Sequence, residues 1–394
     1  MELLPLSKEV KSFILEHEND DEVRLLLRQK TVHGLPATFI AQQIGGRKKA
    51  KDKLPTFYNN TEVVYPSALN LEQASSESAA KFKTAIIESL SRETGADLTG
   101  GFGVDSLYFS RNFKTFHYVE PDSDLVQIVK HNHALLGASN IQHHHTTAEE
   151  FLKETTPVDF IFIDPSRRSG DKKVFKLTDT IPDVVGLQRE IYLKTSNLLI
   201  KASPLLDIQQ ALRELKFVKK VFVVAIGNEC KEILFFAEKD FVGEPEIEAV
   251  DIRSDRQSPF VFRTSEEQQI VAAFSDPLTY LYEPNAAILK AGAFKSIALR
   301  FDLLKLQSST HLYTSEKLVY NFPGRVFKIE AQIKPDAKAL KNFFPDGKAN
   351  VTTRNYPLTP AELKKKTGLK DGGEKFLIGF AGQDQKFLVV ANRI

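Results

Sequence analysis

The feature that most constrains the fold is an alternation of short apolar strands and helices between Gly95 and residue 242. The candidate strands are ADLTGG, HYVEP, NIQHHHTT, VDFIFID and NLLIKAS, followed by KKVFVVAIG and KEILFFAE with no helix between these last two. VDFIFID is apolar until Asp164-Pro165 ends it, which is typical of a parallel strand buried on both faces. Strands that alternate with helices and finish in a strand pair predict a doubly wound α/β domain.

The segments on either side lack this alternation, and we expect four regions. Residues 1–94 are predicted to form a helical region, 95–242 the α/β domain, 243–316 a linker with a small αβ unit, and 317–394 a compact α+β module. In the first region, the helical spacing of apolar residues is expected to stop at Gly45-Gly46. In the last region, LVYNF and RVFKIEAQI are expected to be strands that flank a Pro-Gly turn.

Composition excludes several classes of protein. A chain of 394 residues, 42% of them hydrophobic, can bury substantial cores, so global disorder is excluded. No run of about eighteen apolar residues occurs, and the N-terminal segment, acidic from Glu2 onward, is unlike a secretory leader, so we expect neither a membrane span nor export. The single cysteine, Cys230, cannot form an internal disulfide or a cysteine-based zinc site, and a reducing, cytoplasmic setting fits best.

The histidines do not have the spacing of a metal site. His131 and His133 are two residues apart on a predicted helix and therefore lie on opposed faces rather than forming a chelating pair. In the following strand, only His143 and His145 share a face. We therefore predict no bound metal.

The sharpest local motif is DLTGGFGVDS, which runs from the end of the first strand into the next helix. Glycines in such a turn let the backbone approach a ligand closely. A phosphate-binding P-loop would need Gly-Lys-Ser/Thr here, and the sequence has none. A dinucleotide fingerprint is matched only loosely by Gly101, Gly103 and Ser106, and Asp97 would repel a pyrophosphate.

An acid before the turn fits a cationic ligand better than a phosphorylated one. S-adenosylmethionine carries an ammonium and a sulfonium, and Asp97 could accept a hydrogen bond from the ammonium. Glu120, at the tip of the second strand, could bind both ribose hydroxyls, as an acid does in dinucleotide folds. A strand, glycine turn and helix that bind no ligand remain the alternative.

Three motifs in this order, DLTGGFGVDS, VEPD and FIFIDPSRR, resemble the class I (Rossmann-like) S-adenosylmethionine-dependent methyltransferases. LEQASSESAAKFK is similar to the segment that leads into the fold of RNA cap guanine-N2 methyltransferases. The whole chain resembles a bacterial group in which such a domain precedes a ferredoxin-like unit and a THUMP-like module, and THUMP domains bind RNA. The resemblance therefore implies S-adenosylmethionine as cofactor and RNA as partner.

The resemblance also implies roles for individual residues. The methionine part of the cofactor would lie on Asp97, Gly101 and Gly103, with Thr99 beside them, and the ribose on Glu120. An acid that often contacts adenine is replaced here, so adenine would be bound by Thr147, Glu149 or the backbone. The residues that could cover the cofactor are Gln73, Ser75, Ser76 and Glu77, with plain helix capping as the alternative.

The segment after VDFIFID carries the candidate catalytic residues Asp164, Pro165 and Arg167, at the edge where doubly wound folds place chemistry. Asp164 could accept a hydrogen bond from a substrate amine or imino group, or it could simply cap the following turn. Arg167 or Arg168 could bind a phosphate or a base carbonyl.

The same segment disfavours two kinds of substrate. Ser and Arg replace the Pro and aromatic residue used in adenine-amine methylation, and Cys230 lacks the setting of a cytosine nucleophile. A guanine nitrogen is the remaining preference.

The net charge of +2 is uninformative, but basic residues cluster near 47–53, 167–173 and 364–370. A solvated face explains any one run, whereas several runs beside an enzyme-like centre suggest nucleic acid. The predicted substrate or RNA contacts are Arg168, Lys172, Arg354, Lys364 and Lys365. The first hypothesis is an RNA methyltransferase; the alternatives are a small-molecule or protein methyltransferase and an RNA-binding protein without turnover.

Overall fold

A computed structural model describes residues 6–22, 25, 30–90, 93–167, 177–252, 259–334 and 340–394. The chain forms two units: a first unit of Met1–Lys219 with Ile233–Gly243, and a second unit of Lys220–Glu232 with Glu244–Ile394. Within the described ranges, every helix is too short or too polar to cross a membrane.

The N-terminal region of the first unit is mostly helical. Its elements are α1 (Lys8–Glu16), β1 (Thr31–Val32), β2 (Leu35–Pro36), α2 (Ala37–Lys53), α3 (Pro55–Tyr58), α4 (Ala68–Gln73) and α5 (Glu77–Ile86). The prediction that the helix stops at Gly45-Gly46 is wrong, because α2 runs through both glycines. A Cβ on Gly46 would overlap Tyr65, so this glycine admits a close contact between two segments instead of ending the helix.

The α/β part of the first unit follows the alternation predicted from the sequence. Its elements are β3 (Thr94–Asp97), α6 (Val104–Ser110), β4 (Thr115–Glu120), α7 (Ser123–Leu135), β5 (Ile141–His145), α8 (Ala148–Glu154), β6 (Phe160–Ile163), β7 (Ser166–Arg167), a 3₁₀ turn (Leu177–Asp179), β8 (Thr180–Ile181), α9 (Val184–Lys194), β9 (Asn197–Ala202) and α10 (Ile208–Glu214). The next two strands, β10 (Val218–Ile226) and β11 (Glu229–Glu238), are divided between the units, because residues 220–232 belong to the second unit.

The sheet of the first unit has the strand order β5-β4-β3-β6-β9-β11. Its first five strands are parallel, and β11 is antiparallel to β9. Every residue of β6 is buried, and the Phe109 ring packs 5.1 Å from the Phe162 ring between helix and sheet. These features confirm the doubly wound, Rossmann-like fold. The strand order reverses between β3 and β6, and such a switch point is where open α/β sheets bind ligands.

The second unit contains further strands and short helices. They are β12 (Glu246–Ile252), β13 (Phe260–Phe262), α11 (Thr264–Gln269), β14 (Tyr280–Pro284), α12 (Ala286–Ala291), α13 (Ser296–Arg300), β15 (Leu304–Lys305), β16 (Tyr313–Ser315), β17 (Gly324–Gln332), β18 (Asn350–Arg354), α14 (Pro360–Thr367), β19 (Lys375–Ala381) and β20 (Lys386–Arg393). Residues 220–226 of β10 pair with β12, which also pairs with β13.

A seven-stranded sheet of order β15-β16-β14-β17-β20-β19-β18 forms the rest of the second unit. The prediction that LVYNF is a strand is wrong, because β14 takes the position beside β17. The Tyr282 hydroxyl on β14 accepts a hydrogen bond from the Val319 N–H at 2.9 Å, and the Phe322 ring packs 5.1 Å from the Tyr282 ring. LVYNF therefore lies against the sheet instead of joining it. The sheet uses strands on both sides of the boundary expected near 316, and the four expected regions stay predictions.

Candidate active site

The turn between β3 and α6 contains three glycines. Gly100 and Gly103 pack closely against other side chains, whereas Gly101 is open. Gly101 and Gly103 have φ values of +52° and +71°, which favour glycine. A Cβ on Gly100 would overlap the Tyr118 ring, and one on Gly103 would lie 2.5 Å from Val129. At Gly101, however, an added Cβ would meet no described atom nearer than a carbonyl oxygen 3.8 Å away. The turn therefore offers bare backbone to a ligand at Gly101.

Asp97 supports this turn from inside the protein. Its carboxylate is buried, and one oxygen accepts a hydrogen bond from the Ser106 hydroxyl at 2.6 Å while the other accepts one from the Thr99 N–H at 3.0 Å. Burial is the main reason that the pKa of Asp97 is raised to about 7. Asp97 thus fixes the turn, and its direct contact with a ligand stays a prediction.

Glu120 lies at the end of β4, beside the open part of the turn. Its Oε2 accepts a hydrogen bond from the Gly101 N–H at 3.0 Å, and its Oε1 accepts one from the Asp122 N–H at 3.0 Å. Burial raises the pKa of Glu120 above its usual value. The Tyr118 hydroxyl donates to the Gly101 carbonyl at 2.7 Å, which closes this link between the strand end and the turn. A carboxylate fixed in this way can still accept hydrogen bonds from a diol.

Asp164 joins the same edge from β6. Its N–H donates to the Thr99 hydroxyl at 2.6 Å, so Thr99 connects the glycine turn with the segment that carries Asp164. The carboxylate of Asp164 forms an ion pair with the ammonium of Lys201 on β9. Lys201 is not among the residues predicted from the sequence. The available signal is that a lysine interrupts the apolar strand NLLIKAS at its carboxyl end, next to the strand that ends at Asp164.

The other candidate catalytic residues are less completely described. Pro165 follows Asp164 and is partly exposed, and Arg167 lies on β7, which pairs with β8. The side chain of Arg167 and all of Arg168 and Lys172 lie outside the described residues. Their roles stay predictions.

Among the remaining cofactor candidates, two begin helices. The Ser76 hydroxyl accepts the Ala79 N–H at 3.2 Å at the start of α5, and the Thr147 hydroxyl accepts the Glu150 N–H at 3.2 Å at the start of α8. Gln73 is an exposed residue at the end of α4. Helix capping therefore accounts for Ser76 and Thr147, and cofactor contacts by these three residues stay predictions.

A buried charge cluster beside Asp97 was also missed from the sequence. Lys83 is fully buried, and its ammonium lies 2.9 Å from Asp105 and donates to the Ser75 hydroxyl at 2.7 Å. Ser75 in turn donates to Asp105 at 2.6 Å. Lys83 and Ser75 therefore tie the segment before α5 to helix α6. Only the spacing of α5 could have placed Lys83 inside, because a lysine is rarely buried.

Two histidines stabilise the far side of the turn. The Nε2 atom of His133 lies 2.9 Å from the Gly103 carbonyl oxygen, and its Nδ1 lies 3.0 Å from Nε2 of His143. Burial lowers the pKa of His133 to about 3 and that of His143 to about 4, so both are uncharged at neutral pH. In the part of the chain that the structure describes, no three His, Cys, Asp or Glu side chains are grouped to hold a metal ion.

The predicted RNA contacts of the second unit differ in their availability. Glu283 is buried and binds Arg325 and Arg354 together, which leaves one excess positive charge on partly exposed guanidinium groups. Lys364 forms an ion pair with Asp371, whereas Lys365 is exposed. In the first unit, by contrast, the basic run near 47–53 is largely neutralised. Its ion pairs are Arg47–Glu18, Lys48–Glu22 and Lys49–Glu72.

Three protein families match parts of the chain. "Conserved hypothetical protein 95" matches residues 80–198, a ferredoxin-like domain matches 280–323, and a THUMP domain-like family matches 324–393. The last two matches confirm the resemblance inferred for the C-terminal part. No curated protein matches the chain.

Among solved structures, one from Porphyromonas gingivalis W83, described as a methyltransferase, is 31% identical with a TM-score of 0.86, and the match covers 98% of this chain and 97% of that one. A Streptococcus mutans protein described as a methyltransferase, in complex with SAH, is 12% identical, covers 40% of this chain and 96% of its own, and has a TM-score of 0.32. An rRNA methylase from Streptococcus thermophilus is 14% identical, with 40% and 94% coverage and a TM-score of 0.30. The last two scores are too low to support an argument about this chain.

Proposed function

This chain belongs to the family of the Porphyromonas gingivalis methyltransferase, in which a Rossmann-like domain precedes ferredoxin-like and THUMP-like domains, and we propose that it transfers a methyl group from S-adenosylmethionine to RNA. The observation that carries the proposal is the open glycine turn at Gly101, which is hydrogen-bonded to the carboxylate of Glu120. A bare backbone beside an acid suits a nucleoside that carries positive charge.

The residues at the turn fit this cofactor on two counts. The space beside Gly101, which a Cβ would occupy, leaves room for the methionine part, with Asp97 and Thr99 beneath it. The Glu120 carboxylate is already oriented by two backbone N–H groups and would accept the ribose hydroxyls. When bound, S-adenosylmethionine supplies a methyl group that its sulfonium has already activated. Thr147 is the candidate contact for the adenine, and Gln73 and Ser76 are candidates for the segment that covers the cofactor.

The protein then has to position a nucleophile, because the transfer is an in-line displacement. The lone pair of a substrate nitrogen forms the bond to the methyl carbon while the carbon–sulfur bond breaks and its electron pair goes to sulfur. The extra proton on nitrogen then leaves to solvent. Asp164 would accept a hydrogen bond from the substrate N–H and point the lone pair at the methyl group. Pro165 and Arg167, one and three residues after Asp164, would contact the same substrate.

RNA is the substrate class that the second unit favours. Three observations support this choice: the THUMP-like match, the exposure of Lys365, and the pair of arginines that shares Glu283. Arg354, Lys364 and Lys365 would contact the phosphates of the RNA. In the first unit, Arg168 and Lys172, which follow Asp164 in the sequence, are the candidate RNA contacts. A guanine nitrogen is the preferred acceptor, and a cytoplasmic location belongs to the same proposal. A small molecule or a protein as substrate, or RNA binding without turnover, are the competing functions.

Calorimetry tests the cofactor first. The wild-type chain should bind S-adenosylmethionine, and Glu120→Ala should abolish binding, because the ribose loses its acceptor. Glu93→Ala is the control, since Glu93 precedes β3 at the opposite end of the strand and its exposed carboxylate pairs with Lys114. Absence of binding to the wild type would refute the proposal.

Nucleoside mass spectrometry tests the substrate. RNA from cells with and without the protein should differ in one methylated nucleoside, and the purified chain should restore that nucleoside in RNA from the deficient cells. An unchanged nucleoside profile, together with cofactor binding, would favour a protein or small-molecule substrate.

A further inference from the structure

The geometry points to Lys201 as a positioning residue for methyl transfer, acting through Asp164; this inference rests on the proposed function. Neither a glycine-turn motif nor the DPSRR segment includes this lysine. The structure brings it to the reactive edge from β9 and pairs its ammonium with the carboxylate of Asp164.

The pairing follows from the strand register. Ile163 at the end of β6 is opposite Ile200 on the parallel strand β9. The next residues, Asp164 and Lys201, therefore leave neighbouring strands side by side. Because the backbone of both residues is fixed by the sheet and by the Thr99 hydroxyl, the ion pair has little freedom to rearrange.

The two partners of the ion pair differ in burial. The Lys201 side chain is 14% exposed and that of Asp164 31% exposed, so Asp164 is the more accessible partner of the ion pair. A lysine this deep is costly unless a carboxylate compensates it. The Lys201 ammonium donates a hydrogen bond to one oxygen of the Asp164 carboxylate, Oδ2. Among the residues that the structure describes, the other oxygen, Oδ1, accepts no hydrogen bond, which leaves it for a substrate N–H.

The same arrangement balances charge at an acidic edge. Asp97, Glu120 and Asp164 all lie at the carboxyl ends of adjacent strands. Burial is the main cause of the raised pKa of Asp97, and the negative charge of Asp164 adds to it. Without the ammonium of Lys201, the Asp164 carboxylate would be free to turn toward the cationic cofactor and away from the nucleophile. Lys201 therefore keeps Asp164 available to the substrate.

Steady-state kinetics of the full-length protein test this role, with RNA from deficient cells as substrate. Lys201→Met should lower kcat about 10- to 100-fold, as expected when the group that orients the nucleophile is displaced by up to about 1 Å. The KM for RNA and the dissociation constant for S-adenosylmethionine should change less than about twofold, since the lost interaction acts in the transition state. Lys201→Arg, which retains the cation, should recover most of kcat.

The matched control is Lys219→Met, which removes a lysine from an exposed ion pair with Glu238 in the same unit and should leave kcat unchanged. If Lys201→Met does not fold, Lys201→Gln takes its place, with the same expected loss of kcat. A wild-type kcat in either variant would overturn the inference, as would a loss in Lys201→Arg as large as in Lys201→Met. A wild type that binds S-adenosylmethionine but methylates no RNA would overturn both this inference and the RNA assignment, whereas failure of cofactor binding would refute the proposed function itself.

Discussion

The Nε2 atom of His133 lies 2.9 Å from the carbonyl oxygen of Gly103, so helix α7 holds the glycine turn through a buried imidazole. The ring can donate this hydrogen bond while it stays uncharged, because its second nitrogen faces His143. Both histidines titrate far below their usual range, with pKa values of about 3 and about 4. The conformation of the glycine turn therefore depends on a pair of uncharged imidazoles.

This pair should make the protein sensitive to acid. In the unfolded chain His133 takes up a proton below its ordinary pKa of 6.5, whereas the folded protein resists protonation until about pH 3. Stability is therefore fully present above pH 6.5 and is lost as the pH falls below it, by about 2 kcal/mol at pH 5. In His133→Gln, denaturant unfolding at pH 7 and pH 5 should show a smaller difference. His131→Gln, at a partly exposed position of the same helix, should behave like the wild type, and an equal pH dependence in both variants would contradict the argument.

Asp97 should affect the pH dependence of stability in the direction opposite to His133. Its carboxyl group ionises near 3.8 when unfolded but only at about 7 when folded, so the stability that it contributes is present below pH 4 and is lost as the pH rises to 7. Asp97→Asn, which imitates the protonated form, should therefore raise the free energy of unfolding at pH 8 by about 1–4 kcal/mol and much less at pH 4. Asp52→Asn, at an exposed position on α2, is the control. A variant less stable than the wild type at pH 8 would show that the charged form is required for folding.

Gly103 should tolerate no side chain. Gly103→Ala places a Cβ 2.5 Å from Val129 and 2.6 Å from His133, at a φ of +71°. We expect a loss of about 2–4 kcal/mol in the free energy of unfolding and weaker cofactor binding. Gly137 separates the steric clash from the backbone strain, because its φ is +79° but an added Cβ meets no described atom within 4 Å. Gly137→Ala should cost only about 1–2 kcal/mol, and equal losses would mean that the backbone conformation alone matters.

Lys83 and Asp105 form a buried ion pair, and removing one partner alone should destabilise the fold more than removing both would suggest. Lys83→Met leaves an uncompensated carboxylate and should lower the free energy of unfolding by about 3–5 kcal/mol. The double variant Lys83→Met with Asp105→Leu should lose less than the sum of the two single variants. Lys81→Met, which removes an exposed lysine from the same helix, should change little. Additive losses would show that Lys83 contributes by packing alone.

Lys365 should contribute to RNA binding through charge. In the full-length chain, Lys365→Ala should weaken binding and reduce the slope of log affinity against log salt by about 0.7–0.9. Lys49→Ala, which removes a lysine already paired with Glu72, should leave the slope unchanged. An unaltered slope in Lys365→Ala, measured by fluorescence anisotropy from 50 to 200 mM salt, would exclude this residue from the RNA interface.

The sequence predicted the parts of the site that follow from strand ends. Glu120 and Asp164 lie where β4 and β6 end, and an apolar run closed by an acid is enough to place them at one edge of a parallel sheet. The roles of Lys201, Lys83 and His133 depend on which strand or helix packs beside them. That neighbour is set by register and tertiary packing, which no local pattern encodes.

The two errors have a related cause. A Gly-Gly pair is typical of a helix end, but here the Tyr65 side chain packs where a side chain on Gly46 would lie. LVYNF has the composition of a strand, yet β14, some forty residues earlier in the chain, competes successfully for the same edge of β17. In both cases a distant segment overrode the local preference.

The position of β14 has a practical consequence for dissecting this protein. β14 belongs to the ferredoxin-like match and β17 to the THUMP-like match, and five residue pairs join them, Tyr280 opposite Lys328 through Pro284 opposite Gly324. A fragment cut at the boundary between the two matches would expose the hydrogen-bonding groups of β17 and invite aggregation. The ferredoxin-like and THUMP-like segments therefore form one sheet together. A fragment designed to isolate one of these segments should retain the other as well.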